Sequence, residues 1–372
     1  MVCTKNTENN NLPRRQVLNI PAVVYGKTSA QLKEQYGVNE LVLMNCNENP
    51  LGSSPLAIKA IQEEALNINR YPESGSSDLR QKLANHYGIE REMVLCSNGG
   101  DNIITTLMQT FLDEGDELVV GHPSFFVYGH TSGIMGAKLI KVPLKDYTYD
   151  LAAILQAVTP KTKMVIICNP NNPTSTILRQ KEVDEFIAVL PQDCLVVFDE
   201  AYREFVEDKN YPDSLKYVKE DKNVLIIRTF SKLYGLAGLR IGYCLAPQKV
   251  MTYMARVVET FPVNRLAQVA AMAALDDKNF VTKVKAANAL GKAYLIDELA
   301  KLGMKTAPAY ANFIFTDTGM DSIKLVKDLE KRGILIRPAV SWGFPTCVRI
   351  SIGTQAENEK LVKAIQEIKD EI

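Results

Sequence analysis

The sequence predicts an α/β protein in which a mostly parallel central sheet forms a large unit and a smaller α+β unit follows it. Three observations carry that expectation. Short apolar, β-branched runs alternate with helical stretches from Leu41 onward, the pattern of successive βαβ units. Runs such as Met164-Val165-Ile166-Ile167-Cys168 are apolar at every position, as strands covered on both faces must be. Past Gly303 the alternation gives way to short strands around one helix.

Taken in order, residues 1–40 read as an arm. A polar tip (Asn6, Glu8, Asn9, Asn10, Asn11) precedes Pro21, Gly26 and a helix over Ser29–Tyr36 that Gly37 ends. The arm is expected to pack on the small unit or on a partner subunit. The large unit, 41–275, carries strands at Glu117–Val120, Lys138–Val142, Met164–Cys168, Leu195–Phe198, Val224–Ile227 and Ile241–Leu245. From Leu266 to Gly303 the chain is rich in Ala, Leu and Lys, with no glycine between Gly242 and Gly291, and reads as long helix across a domain boundary. The small unit, 276–372, then has strands at Asn312–Thr316 and Ile334–Arg337 around a helix Ser322–Lys331. A strand Val348–Ile352 and an amphipathic helix complete it.

Composition narrows the function. The chain has 372 residues, 46% hydrophobic, enough for a sizeable core, and 43 basic residues balance 43 acidic ones. No global field favours nucleic acid or an anionic membrane, so a small soluble ligand is expected. Seven cysteines without a C-x-x-C pair, several inside apolar runs, read as buried free thiols. Without a signal-like apolar segment or a run of membrane-spanning length, the cytoplasm is the expected compartment.

Three strand tips and one glycine turn carry chemistry. Ser231-Lys232 follows the strand at 224–228, at the carboxyl end where open α/β sheets bind ligands. Asp199 ends another strand and is followed by Glu200-Ala201-Tyr202; a carboxylate so placed needs a partner, and a helix N-cap is the plain alternative. Asn169-Pro170-Asn171-Asn172-Pro173-Thr174 is a loop whose two prolines can fix the orientation of an amide, or an ordinary turn. Asn98-Gly99-Gly100-Asp101-Asn102 leads into a helix over Ile103–Phe111, whose free N–H groups could receive phosphate oxygens. Arg240, eight residues after Lys232, supplies a guanidinium or a strand-edge ion pair. Each alone is weak. Together they suit pyridoxal 5'-phosphate (PLP), which needs a lysine for its aldehyde, an acid for its pyridine nitrogen, and a hydroxyl and an arginine for its phosphate.

With these motifs, and with Asn47-Glu48-Asn49-Pro50-Leu51-Gly52, Arg70-Tyr71-Pro72, Arg228 to Arg240 and Val348 to Gly353, the chain resembles the fold-type I PLP enzymes of the class I/II aminotransferase group. Within that group it is most similar to the histidinol-phosphate aminotransferases. The resemblance implies that Lys232 binds the cofactor aldehyde covalently, that Asp199 pairs with the pyridinium, and that Asn172 and Tyr202 bind the ring's phenolic oxygen. It also implies that Ser231, Arg240 and the Gly100-Asp101 backbone bind phosphate, with Tyr71 reaching across from the neighbouring subunit of a homodimer. Phe125 would stack on the ring, and Arg349 would grip the substrate's anionic group with Arg337 as helper. Three positions depart from the family pattern. Val23 stands where the arm usually has a substrate-binding tyrosine, leaving Tyr25 as the candidate; Phe125 replaces a tyrosine; and Ser175 replaces a glycine.

The expected reaction is a ping-pong transamination between histidinol phosphate, or a similar amine, and 2-oxoglutarate, with the freed Lys232 amine carrying the proton. The alternatives are an aromatic amino acid aminotransferase and a PLP-dependent decarboxylase of a phosphorylated amino acid. A PLP-sensing regulator would need an added DNA-binding module, for which the forty residues before the core leave no room.

Overall fold

A computed structural model describes residues 12–22 and 26–371. Its strands are β1 (Val42–Leu43), β2 (Val94–Ser97), β3 (Glu117–His122), β4 (Lys138–Pro143), β5 (Thr162–Cys168), β6 (Leu195–Asp199), β7 (Val224–Thr229), β8 (Gly242–Leu245), β9 (Lys305–Thr306), β10 (Phe313–Asp317), β11 (Ile334–Leu335), β12 (Arg337–Pro338) and β13 (Cys347–Ser351). Seven of them form one sheet in the order β2-β8-β7-β6-β5-β3-β4. β3 to β7 run parallel, whereas β8 is antiparallel to both β7 and β2. Val165, Ile166 and Ile167 are fully buried, as their unbroken apolar run requires. A second, antiparallel sheet has the order β12-β13-β10-β9, and β1 pairs in parallel with β11.

The two largest hydrophobic cores lie one on the seven-stranded sheet and one on the four-stranded sheet with β1 and β11. Phe280 and Val284 belong to the larger core, Leu295 and Leu299 to the smaller, so the helix Lys278–Lys301 runs from one to the other over about 36 Å. Val42 and Met44 also pack in the smaller core: the chain enters it before building the larger one. The arm helix Ser29–Tyr36 starts at a Thr28 capping box, ends at Gly37 in the left-handed region (φ 65°), and donates a hydrogen bond from the Tyr36 hydroxyl to Glu330 of the small unit at 2.7 Å. Earlier in the arm, Gln16 bonds Glu114 of the large unit.

Four elements differ from expectation. The single long helix is two, Arg265–Asp276 and Lys278–Lys301, because Asp277 leaves the helical region (φ −82°, ψ 67°) and its carboxylate accepts the Phe280 N–H as the N-cap of the second. The strand expected at 334–337 is divided between two sheets, with Ile334 and Leu335 on β1, and Arg337 and Pro338 on β13. The edge strand β2 was not expected. The helix after Asn98 begins at Gly99, four residues before Ile103. Among the described cysteines five are buried, but Cys46 is exposed, because it sits at the mouth of the cavity described next.

Candidate active site

The carboxyl ends of β5, β6 and β7 lie side by side and open into a cavity of about 510 Å³. Lys232, Asp199, Asn172, Tyr202, Ser231 and Arg240 all line it, as do Gly100, Asp101, Phe125, Arg337 and Arg349. Tyr71 is elsewhere: it is 78% exposed, with its ring stacked on Phe261 at 4.5 Å. Tyr25, and Val23 beside it, lie outside the described residues.

Asp199 is not a helix cap. It is 5% exposed, and its two oxygens accept from the Tyr128 hydroxyl (2.5 Å) and the Ala201 N–H (3.2 Å). Burial pushes its carboxyl up to about 6, against the pull of the Tyr128 bond. Among the described residues it forms no ion pair. A buried carboxylate in that state is matched by a protonated ring nitrogen.

Lys232 donates to the Cys46 carbonyl at 3.0 Å. Burial first, and the nearby Arg349 charge second, bring its amine down to about 8, so that about a tenth of it is a free nucleophile at pH 7, far more than for an ordinary lysine. Tyr202, buried and held well above its ordinary pKa by that burial, remains a neutral phenol; the side-chain amides of Asn47 (3.2 Å) and Asn172 (3.4 Å) both donate to its oxygen. Its hydrogen remains available to an anionic oxygen in the cavity.

Gly99, Gly100 and Asp101 form the first turn of the helix Gly99–Phe111, where N–H groups have no partner within the helix. Arg240 lies over that turn, its Nη2 3.5 Å from the Asp101 carboxylate. Glycine is needed there: Gly99 has φ +82°, and a Cβ would sit 3.0 Å from the same Nη2. A helix N-terminus, a guanidinium and the Ser231 hydroxyl on one cavity are groups able to receive a phosphate dianion. Gly235 fixes the loop after Lys232, since a Cβ on it would fall 2.0 Å from the Gly52 carbonyl oxygen.

Arg349 projects from β13 of the small unit. It is 8% exposed, and its terminal nitrogens donate to Asn172 Oδ1 and the Asn45 carbonyl, each at 2.6 Å. Burial and the charge of Arg337, its cross-strand neighbour, pull its pKa below the usual value. The set fits PLP: an acid without a cation, an amine, a neutral phenol and an anion receptor, spaced along one cavity with the Phe125 ring in its wall.

Residues 39–365 match the family model described as aminotransferase class I and II. The chain belongs to that family. It is 42% identical over 356 residues to the histidinol-phosphate aminotransferase of Moorella thermoacetica, covering 95% of this chain and 92% of that one. It is 40% identical to the Brevibacillus brevis protein of the same name, covering 96% and 98%. The histidinol-phosphate aminotransferase of Sinorhizobium meliloti, solved in complex with PLP, superposes with a TM-score of 0.89 at 27% identity over 98% of this chain and all of that one. The aspartate aminotransferase of Thermus thermophilus with maleate shares the fold, with a TM-score of 0.83 at 22% identity. This class I/II aminotransferase therefore has the fold-type I architecture that its motifs implied.

Several residues that line the cavity or bond its lining carried no assigned role in the sequence. Tyr128 follows the aromatic Phe125 by one helical turn, which is the signal that could have found it. Asn45 and Cys46 act through carbonyls, which no side chain announces. Trp342, the only tryptophan of the chain, lines the cavity beside Arg349.

Proposed function

We propose that this aminotransferase is a PLP enzyme that moves the amino group of histidinol phosphate, or a closely similar amine, onto 2-oxoglutarate, working as a soluble homodimer in the cytoplasm. The observation that carries the reading is the convergence of Lys232, Asp199 and Arg349 on one cavity, from three strands of two sheets. The substrate rests on the names of the relatives at 42% and 40% identity.

In this reading Asp199 holds the ring nitrogen protonated, Tyr202 and Asn172 bind the ring oxygen, and Phe125 stacks on the ring. Arg240, Ser231 and the N–H groups of Gly100 and Asp101 hold the phosphate, completed by Tyr71 from a second subunit. The bound cofactor supplies an aldehyde carbon for the incoming amine and a protonated ring that withdraws electrons from the substrate carbon. Lys232 Nζ would hold the cofactor's aldehyde carbon, and as a free amine it would carry the proton between the substrate carbon and its neighbour. Its lowered pKa suits both steps. Arg349 binds the carboxylate of glutamate and 2-oxoglutarate through a planar fork that lysine could not reproduce, with Arg337 assisting at the mouth.

The test is a donor screen with 2-oxoglutarate as acceptor, comparing histidinol phosphate with phenylalanine and tyrosine and monitoring carbon dioxide. The expected result is preferred turnover of histidinol phosphate without carbon dioxide. Lys232→Ala should abolish both turnover and the visible absorbance of the purified protein; persistence of that absorbance would overturn the attachment point.

A further inference from the structure

We propose that Trp342 is the positioning residue of the carboxylate site: its indole presses the Arg349 guanidinium against Phe313, holding the fork in the plane that receives the substrate anion. This rests on the reading of Arg349 as the carboxylate receptor.

The Arg349 Cζ atom lies 5.5 Å from the centroid of the Phe313 ring and 5.5 Å from that of Trp342. One wall is fixed, since Phe313 is fully buried in β10. The other stands on a short 3-10 turn, Val340–Trp342, whose last N–H bonds the Ala339 carbonyl at 2.9 Å. Gly343 in the left-handed region (φ 88°) then reverses the chain so that Phe344 bonds the same carbonyl at 3.2 Å. Trp342 also packs against the small buried cluster of Ala307, Phe315, Ala339 and Cys347. The turn is anchored, and the half-buried indole lines the cavity.

A guanidinium has five N–H donors. Asn172 and the Asn45 carbonyl engage one on each terminal nitrogen, while the buried Nε has no partner among the described residues. The two bonds fix the far edge of the group but leave it free to tilt about that edge. Two rings within cation–π reach of the group restrict that freedom. The unengaged donors then keep one direction, which a bidentate carboxylate needs. An aromatic face also offsets part of the cost of burying this cation beside Arg337.

The experiment uses the holoenzyme and maleate, a dicarboxylate with no amino group to react, titrated by calorimetry. Trp342→Leu, which keeps apolar volume without a π-face, should weaken maleate roughly three- to thirtyfold, the range such contacts span, and Trp342→Phe should restore most of the loss. The KM for 2-oxoglutarate should rise in parallel, with kcat, cofactor absorbance and melting temperature nearly unchanged. Because Trp342 is the only tryptophan, its emission in the unvaried enzyme should change with the same midpoint as the calorimetric titration. Unchanged emission, or maleate affinity in the Leu variant equal to wild type, would overturn the proposal alone. Failure of the unvaried holoenzyme to bind maleate would overturn the carboxylate-site reading beneath it.

Discussion

Asp199 is costly to the fold and useful to the chemistry. Its carboxyl is raised to about 6 in the folded chain, against about 3.9 when unfolded, so folding favours the protonated form. Stability from this group is complete below about pH 4 and is lost as pH rises through about 6, a total of about 3 kcal/mol for so buried a group. Asp199→Asn should therefore raise the melting temperature of cofactor-free protein at pH 7.5, with little effect at pH 4, while cutting turnover by about two orders of magnitude or more as the ring loses its acid. Calorimetry at the two pH values checks the first half, and an unchanged melting temperature at pH 7.5 would refute it. Lys232 shifts the opposite way for the same physical reason. Its neutral form accumulates as pH rises through about 8, so capture of PLP by cofactor-free protein, followed by stopped-flow absorbance, should show a midpoint near that value and not near the ~10.4 of an ordinary lysine. These two residues were legible in the sequence because each sits at a strand tip beside other polar groups. The hydroxyl that bonds Asp199 was not, since Tyr128 lies 71 positions away and only folding brings the two within 2.5 Å.

At the scale of elements, alternation of strand and helix was readable because burial on both faces leaves an unmistakable apolar run. The break at Asp277 was hidden: no glycine or proline marks it, and aspartate is tolerated inside helices. What decides the matter is tertiary. One Asp277 oxygen accepts from the Phe280 N–H at 3.1 Å and the other from the Ser54 hydroxyl at 2.7 Å, and Ser54 itself caps the helix Pro55–Glu64. One hydroxyl–carboxylate bond thus joins two helix starts. Asp277→Ala should cost about 1–2 kcal/mol in denaturant unfolding, the usual size of a lost cap, and a smaller loss would mean that the two helices fuse. The divided strand at 334–337 was unreadable for a related reason: its first half pairs with a segment at the other end of the sequence.

For the molecule as a whole, exposed apolar side chains gather where Tyr71 stands. Leu66 is 91% exposed and Ile68 67%, and Phe261 carries the Tyr71 ring. Such a patch suits an interface between copies of the chain, the arrangement in which Tyr71 would serve the other subunit's phosphate. Ile68→Asp should then shift sedimentation from dimer to monomer and lower PLP affinity together; a monomeric variant with full affinity would separate the two. The partner was implied in the sequence only through the family resemblance, and the patch not at all, because scattered apolar positions declare themselves only once the core has claimed the rest.

The pairing of Val42 with Ile334 has a bearing on how the protein is born. A ribosome reads out the first of these long before the second, so the strand at the head of the core must wait, unpaired, while nearly everything between them is translated. The smaller core cannot close around Val42 and Met44 until the message is almost finished. Arg349 is carried on that late-closing body, so the wall of the cavity is completed last.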